Sequence, residues 1–102
     1  METPVKTIAQ NTLHICSAAE ALALLRKHGG HGSAAFMRSL ADAVSDENNH
    51  ITGTVGDFNN LIDRFEALGD YFDALRVCDF ALKIYPRSAT LLAITLNTCA
   101  RS

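Results

Sequence analysis

The chain is predicted to be all-α, an assembly of antiparallel helical hairpins stacked side by side, with about five to six helices in 102 residues. Three observations predict this. Apolar residues recur at three- and four-residue intervals along most of the chain. Helix stop signals are followed at once by helix start signals. A hydrophobic content of 48% is ample for the core of one domain of this length.

At the N-terminus, Thr3-Pro4 is a good helix start, and Val5, Ile8, Thr12, Leu13 and Cys16 keep helical spacing. A short strand at residues 13–16 is the competing reading. Ser17-x-x-Glu20 is a capping-box pattern that opens an Ala- and Leu-rich helix ending at Gly29 and Gly30. Ser33 caps a second helix, whose Phe36, Met37, Leu40, Ala41 and Val44 form a stripe that ends in the polar run 45–50. These two helices make a hairpin with a short glycine-rich turn.

The segment 55–88 is the most sharply patterned. Phe58, Leu61, Ile62, Phe65 and Leu68 lie on one helix face, with Asp57 placed to cap the helix at its start and Gly69 to close it, which predicts a helix over about 57–68. Asp70 offers the next N-cap. Tyr71, Ala74, Leu75, Cys78, Leu82 and Tyr85 then carry a second stripe until Pro86 forbids continuation. So short a turn places the two helices antiparallel and adjacent. Ala74 and Ala81, two turns apart, let a neighbouring helix approach closely.

Beyond Pro86, Ser88 is an N-cap for a helix over about 89–101, with Leu92, Thr95, Leu96 and Cys99 expected to face inward. The density of Leu91, Leu92, Ile94 and Leu96 leaves little of that helix polar. It is expected to be a capping helix, or the start of a second repeat, whose apolar face a partner or a second copy of the chain covers.

The spacing Phe58-x2-Leu61-Ile62-x2-Phe65, then Gly69-Asp70-Tyr71, Ala74-x3-Cys78, Ala81 and Pro86, resembles a tetratricopeptide (TPR) repeat. The resemblance covers 34 residues of the chain, 55–88. Ile62 stands where that family places a small residue, and Cys78 where it places Phe. Leu22, Leu25, Gly29, Ala34 and Ala41 fall 40 residues before Ile62, Phe65, Gly69, Ala74 and Ala81, so residues 1–54 are expected to hold a degenerate hairpin of the same kind and a longer connection near 48–54. The whole chain, 1–102, is then a single helical domain. Residues 58–63, Phe-Asn-Asn-Leu-Ile-Asp, also look like the start of a pentatricopeptide (PPR) repeat, an RNA-reading relative.

The TPR resemblance implies a non-enzymatic adaptor or scaffold that binds a peptide or helix of another protein on the concave face built by the first helix of each repeat. The matching positions are Asn59, Asn60, Asp63, Glu66, Asn97 and Arg101. Amides there bond a peptide backbone, and Asp63 and Glu66 attract basic residues. A subset of the family grips C-terminal carboxylates with paired Lys and Asn. Asn60 matches one of those Asn positions, but no Lys falls on the expected concave face, so the resemblance does not imply that activity. The alternative is a PPR-like fragment that binds single-stranded RNA, with Asn60 reading a base.

Charge argues against nucleic acid. The formal net charge is -2, spread evenly along the chain, and there is no basic face to displace counterions from phosphates. Cys16, Cys78 and Cys99 are odd in number and widely spaced, with Cys78 and Cys99 on apolar faces, which fits a reducing compartment rather than a disulfide framework. The longest apolar run, 21–25, is far short of a membrane span, and residues 1–14 lack the pattern of a secretory signal, so the cytosol is the expected location. His28-Gly-Gly-His31, with Cys16 or His14, has the ligand types of a zinc site but not the tight paired spacing, and reads as a solvated turn. No cofactor, metal or catalytic residue is expected.

Overall fold

The computed structural model describes residues 15–28 and 34–101. Those residues form five α-helices: α1 (Ala18–His28), α2 (Ala34–Ser45), α3 (Val55–Ala67), α4 (Tyr71–Ile84) and α5 (Ala89–Arg101), with a 3₁₀ turn at Glu47–Asn49. The all-α hairpin class expected from the sequence is what the chain adopts. The expected N-terminal helix as far as residue 14, the glycine turn with His31, and the Ser33 cap lie outside the described residues.

Helices α1 and α2 pair as one hairpin and α3 and α4 as the next. Stacking sets α1 against α3 and α2 against α4, and α5 closes the far side by packing on α4 and, less extensively, on α3. The result is one layer of α1, α3 and α5 and another of α2 and α4. Leu25, Leu40, Val44, Phe58, Leu61, Ile62, Phe65 and Val77 are fully buried where the layers meet. Among the described residues, no helix is long and apolar enough to cross a membrane.

The sequence at each boundary explains where the helices stop and start. Ser17 Oγ accepts the Glu20 N–H at 3.1 Å, as a capping residue should, but the Glu20 carboxylate takes the N–H of Cys16 at 2.7 Å instead of that of Ser17. The residues before this cap are not helical. Thr52 lies parallel to Ser17, donating to Cys16 O at 3.0 Å and accepting from Ala18 N–H at 2.8 Å. The helical spacing read through Cys16 therefore fails at Ile15 and Cys16, and the single bridge falls at Ser17, one residue beyond the competing strand reading at 13–16.

Gly53 follows the bridge, and a Cβ there would stand 3.0 Å from Ala18 Cβ and 3.3 Å from Phe58 Cε2. Glycine lets the connection lie directly on the α1–α3 contact.

Helix α3 begins two residues before the expected start, and Asp57 is not its N-cap. Thr54 holds that position: its hydroxyl accepts the Asp57 N–H and the Asp57 carboxylate accepts the Thr54 N–H, both at 3.1 Å. Asp57 therefore completes a reciprocal box as the third helical residue, where its negative charge also complements the helix dipole. At the other end Gly69 has φ 82°, and the N–H groups of Gly69 and Asp70 return to Glu66 O and Phe65 O, each at 2.9 Å. This is a Schellman closure that glycine enters without steric cost. Asp70 then caps α4 by accepting the Asp73 N–H at 3.2 Å, as the sequence indicated.

Two helix faces differ from expectation. On α4, Ala74, Cys78 and Ala81 are buried as read, but Asp73, Val77 and Phe80 join them, while Tyr71, Leu75, Leu82 and Tyr85 are half-buried. The cause is position: α4 touches α2, α3 and α5, so its covered arc is wider than one stripe. On α5, Leu91 and Thr98 are buried, Thr95 is half-buried, and Leu92, Leu96 and Cys99 are exposed, Leu96 at 72%. Successive helix residues are separated by about 100°, so an inward face one residue earlier turns the expected Leu92-Leu96-Cys99 line to the outside. The reason lies with the neighbours: Thr98 donates from its hydroxyl to Glu66 of α3 and draws that side of α5 inward.

Candidate functional site

The layer of α1, α3 and α5 carries all six residues expected to face a partner, but the structure divides them. Asn60 and Asp63 line an open cleft between α1 and α3, together with Arg26, Arg64 and Ala67. Asn60 and Arg64 stand one turn apart on α3, and Ala67 follows a turn later, so three positions form one line along the helix. Arg26, from the last turn of α1, closes the opposite wall.

Glu66 and Arg101 do not reach the cleft. The Glu66 carboxylate accepts from the Thr98 hydroxyl and lies 3.4 Å from Arg101 Nη1, with its side chain only 12% exposed. These contacts join α3 to α5, so Glu66 is a structural link there rather than a free carboxylate on a binding surface. Asn59 is half-buried and Asn97 exposed, and neither lines the cleft. The expectation of a basic partner drew on Asp63 and Glu66 together, and of the two only Asp63 faces the cleft.

The cleft's two arginines were not read from the sequence. Arg64 lies beside the apolar stripe of α3, and its spacing four residues beyond Asn60 is the sequence signal that places both on one face. Arg26 directly follows the core residue Leu25, but its approach to α3 depends on hairpin stacking and has no local signature. Among the described residues neither arginine has an acid within ion-pair distance, whereas Arg38, Arg76, Lys83 and Arg101 each do. Arg64 Nε is buried and has no hydrogen-bond acceptor. Two guanidinium groups and the single Asp63 carboxylate give the cleft lining a net positive character.

A second polar cluster lies across the other layer. Asp73, fully buried, accepts from Arg38 Nε at 3.0 and 3.1 Å on its two oxygens and from Arg76 Nη1 at 3.0 Å. Arg76 also pairs with Asp42 of α2. Both guanidinium groups lie over the exposed ring of Phe72, Arg38 at 4.9 Å and Arg76 at 6.0 Å. Every charge in this cluster has a partner, so it reads as a clip between α2 and α4.

Beside it, Asp70 has its carboxyl pushed up to about 6, first by burial and then by the side-chain hydrogen bond and negative charge of Asp73, against the opposing pull of the Asp73 N–H and of Arg38. Burial also pushes the Cys78 thiol up. That makes it a packing residue rather than a nucleophile. Among the described residues no three His, Cys, Asp or Glu side chains gather as a metal site, and His28 instead sets its ring edge against Phe36 at 5.6 Å.

Fold and cleft together define the class: an all-α protein of stacked helical hairpins with a polar cleft on one layer. Compared with protein-family models, curated proteins and solved structures, the chain matches none.

Proposed function

We propose that this chain is a TPR-like protein-interaction module, a non-enzymatic adaptor or scaffold of the cytoplasm, and that a peptide segment or helix of a partner protein lies in the α1–α3 cleft. The observation that carries the reading is the cleft itself: Arg26, Asn60, Asp63 and Arg64 converge from two helices on one opening, with Ala67 leaving room beside them. Donors and acceptors on a rigid two-helix wall suit a peptide backbone, which presents both. The TPR-like spacing of 55–88 supports the same reading, because it places Asn60 and Asp63 on the helix expected to face a partner.

Fluorescence anisotropy tests this with labelled peptides of acidic, neutral and basic composition. Saturable binding of at least one class is expected, with loss in an Asn60→Trp variant that fills the cleft but keeps its helix content. If no class binds, or if Asn60→Trp leaves binding intact, the cleft is not the partner site. Filter binding of single-stranded RNA at two salt concentrations provides the contrast, since a phosphate-driven complex weakens steeply with salt. The even charge of -2 predicts no such retention.

A further inference from the structure

We propose that the outer face of α5 pairs with α5 of a second copy of this chain, antiparallel and crossing at Leu96. The pairing is independent of what the α1–α3 cleft binds.

Its basis is that α5 has two apolar arcs and one of them is bare. At about 100° per residue, Leu91, Ile94, Thr95 and Thr98 share an arc of roughly 100°, and these are the residues buried or half-buried against α3 and α4. Ala89, Leu92, Ala93, Leu96, Cys99 and Ala100 share a second arc of roughly 120°, and every one of them is exposed, Leu92 at 46% and Leu96 at 72%. Thr90, Asn97 and Arg101 fill the gap between the arcs. An apolar stripe about 100° wide is what a helix ordinarily turns to a core. The second stripe of α5 is that wide and faces outward.

Charge decides the occupant. Among the described residues, each of α1 to α4 has charged side chains on its exposed face, such as Glu20, Arg38, Asp63 and Asp79, whereas the second arc of α5 has none. The only charge on α5, Arg101, stands off that arc and turns to Glu66 at 3.4 Å. A partner selected by charge has no group to pair with on this face. The surface that matches an uncharged Leu and Ala stripe is the same stripe on another copy, and a two-fold axis sets it against itself. Antiparallel pairing also brings the positive end of each helix dipole to the negative end of the other. With the axis at Leu96, Leu92 meets Ala100 of the second copy and Ala93 meets its Cys99, large against small. Because α5 stands on the far side of α3 from α1, both clefts of the pair stay open.

From Ala89 to Ala100 the stripe runs about 18 Å and is about 10 Å wide, well under the roughly 800 Å² per partner of a standard interface. The pair is therefore weak and reversible, half-dissociated at about 10–100 µM. At the low micromolar concentrations of an unfolding titration the chain is a single copy.

Sedimentation equilibrium of the full chain over roughly 5–500 µM tests the pairing. The mass is expected to rise from the 11.0 kDa of one chain towards twice that value and no further. Leu96→Glu, a surface change that leaves the helical circular dichroism in place, should raise the dissociation constant by at least about tenfold. Phe72→Ser, which removes another exposed apolar side chain from the other layer, should leave it unchanged. In a Cys16→Ser, Cys99→Ser background, mild oxidation should link copies of Leu96→Cys into a covalent dimer but not copies of Leu92→Cys. Antiparallel crossing holds the two positions 92 about 12 Å apart along the helices, beyond the ~7 Å reach of a disulfide. A mass of one chain at every concentration, growth past two copies, or equal weakening by Leu96→Glu and Phe72→Ser would overturn the pairing. Preferential linking through position 92 would overturn its antiparallel register.

Discussion

Replacing Asp73 with Asn probes the least exposed charge among the described residues. Its side chain is 1% exposed and accepts from two donors, the single Arg38 Nε–H shared between its two oxygens and an Arg76 Nη1–H. Asparagine keeps the shape and the backbone cap but removes the negative charge and one acceptor oxygen. Hydrogen bonds to charged groups contribute about 1.5–3 kcal/mol each. Two facts reduce the sum. Arg38 is 55% and Arg76 28% exposed, so both cations regain water when the anion goes, and Arg76 keeps Asp42. The loss therefore falls near ~2 kcal/mol rather than the ~3–5 kcal/mol of a charge stranded in a dry interior.

For a domain of this size, ~2 kcal/mol corresponds to a Tm lowered by roughly 8–16 °C, readable by circular dichroism. A double-mutant cycle with Arg38→Met isolates the pair, with an expected coupling of about 1 kcal/mol or more. A drop in Tm of less than ~2 °C would show that the clip between α2 and α4 contributes little. A coupling within ~0.3 kcal/mol of zero would refute the pairing itself.

Asp70 makes a pH prediction of unusual sign. Its folded-state carboxyl is raised from 3.8 to about 6, so the stability it contributes is fully present at and below pH 4 and is lost as pH rises through 6. Asp70→Asn, which still caps α4, should raise the urea midpoint at pH 7 and flatten the wild type's decline between pH 4 and 6; identical slopes would contradict it. On α5, Leu91→Ala should cost about 2–3 kcal/mol and Leu96→Ala, at a site 72% exposed, within about 0.5 kcal/mol. Urea titration of both reads the helix face, and the reverse order would restore the face expected from the sequence. Gly53→Ala sets a Cβ at 3.0 Å from Ala18 Cβ and should cost about 1–3 kcal/mol in thermal melts, whereas an unchanged Tm would mean the connection shifts freely.

Local chemistry made much of the fold legible. The Gly69-Asp70 junction, the Ser88 cap and the stop before Pro86 each depend on a few adjacent residues, and the Ser88 hydroxyl does accept the Leu91 N–H at 3.2 Å. The stripe Phe58-Leu61-Ile62-Phe65 is fully buried because α3 sits between α1, α4 and α5, and an apolar face that dense has few alternatives. Faces of helices with unequal neighbours were harder to read. Helix α5 is apolar around most of its circumference, so periodicity selects no single face, and the Thr98–Glu66 contact decides the orientation. Polar residues needed tertiary context throughout. Nothing near Asp73 in sequence announces Arg38, 35 positions away.

The two sides of α3 handle charge in opposite ways, and this difference bears on function. Toward α5, Glu66 meets both Thr98 and Arg101, so the polar groups between those helices are matched within the chain. Toward α1, Arg26 and Arg64 find no acid among the described residues, and Arg64 Nε is desolvated without an acceptor. Folding alone favours the first arrangement, since an unsatisfied buried donor costs about 1–3 kcal/mol. A glutamate on the adjoining face of α1 would remove that cost by ordinary pairing. A buried donor left unmatched on α3 is a local violation of polar matching of the sort concentrated at functional sites. The same physics that makes the α3–α5 side structural leaves the α3–α1 side the one whose cations the described chain does not itself pair.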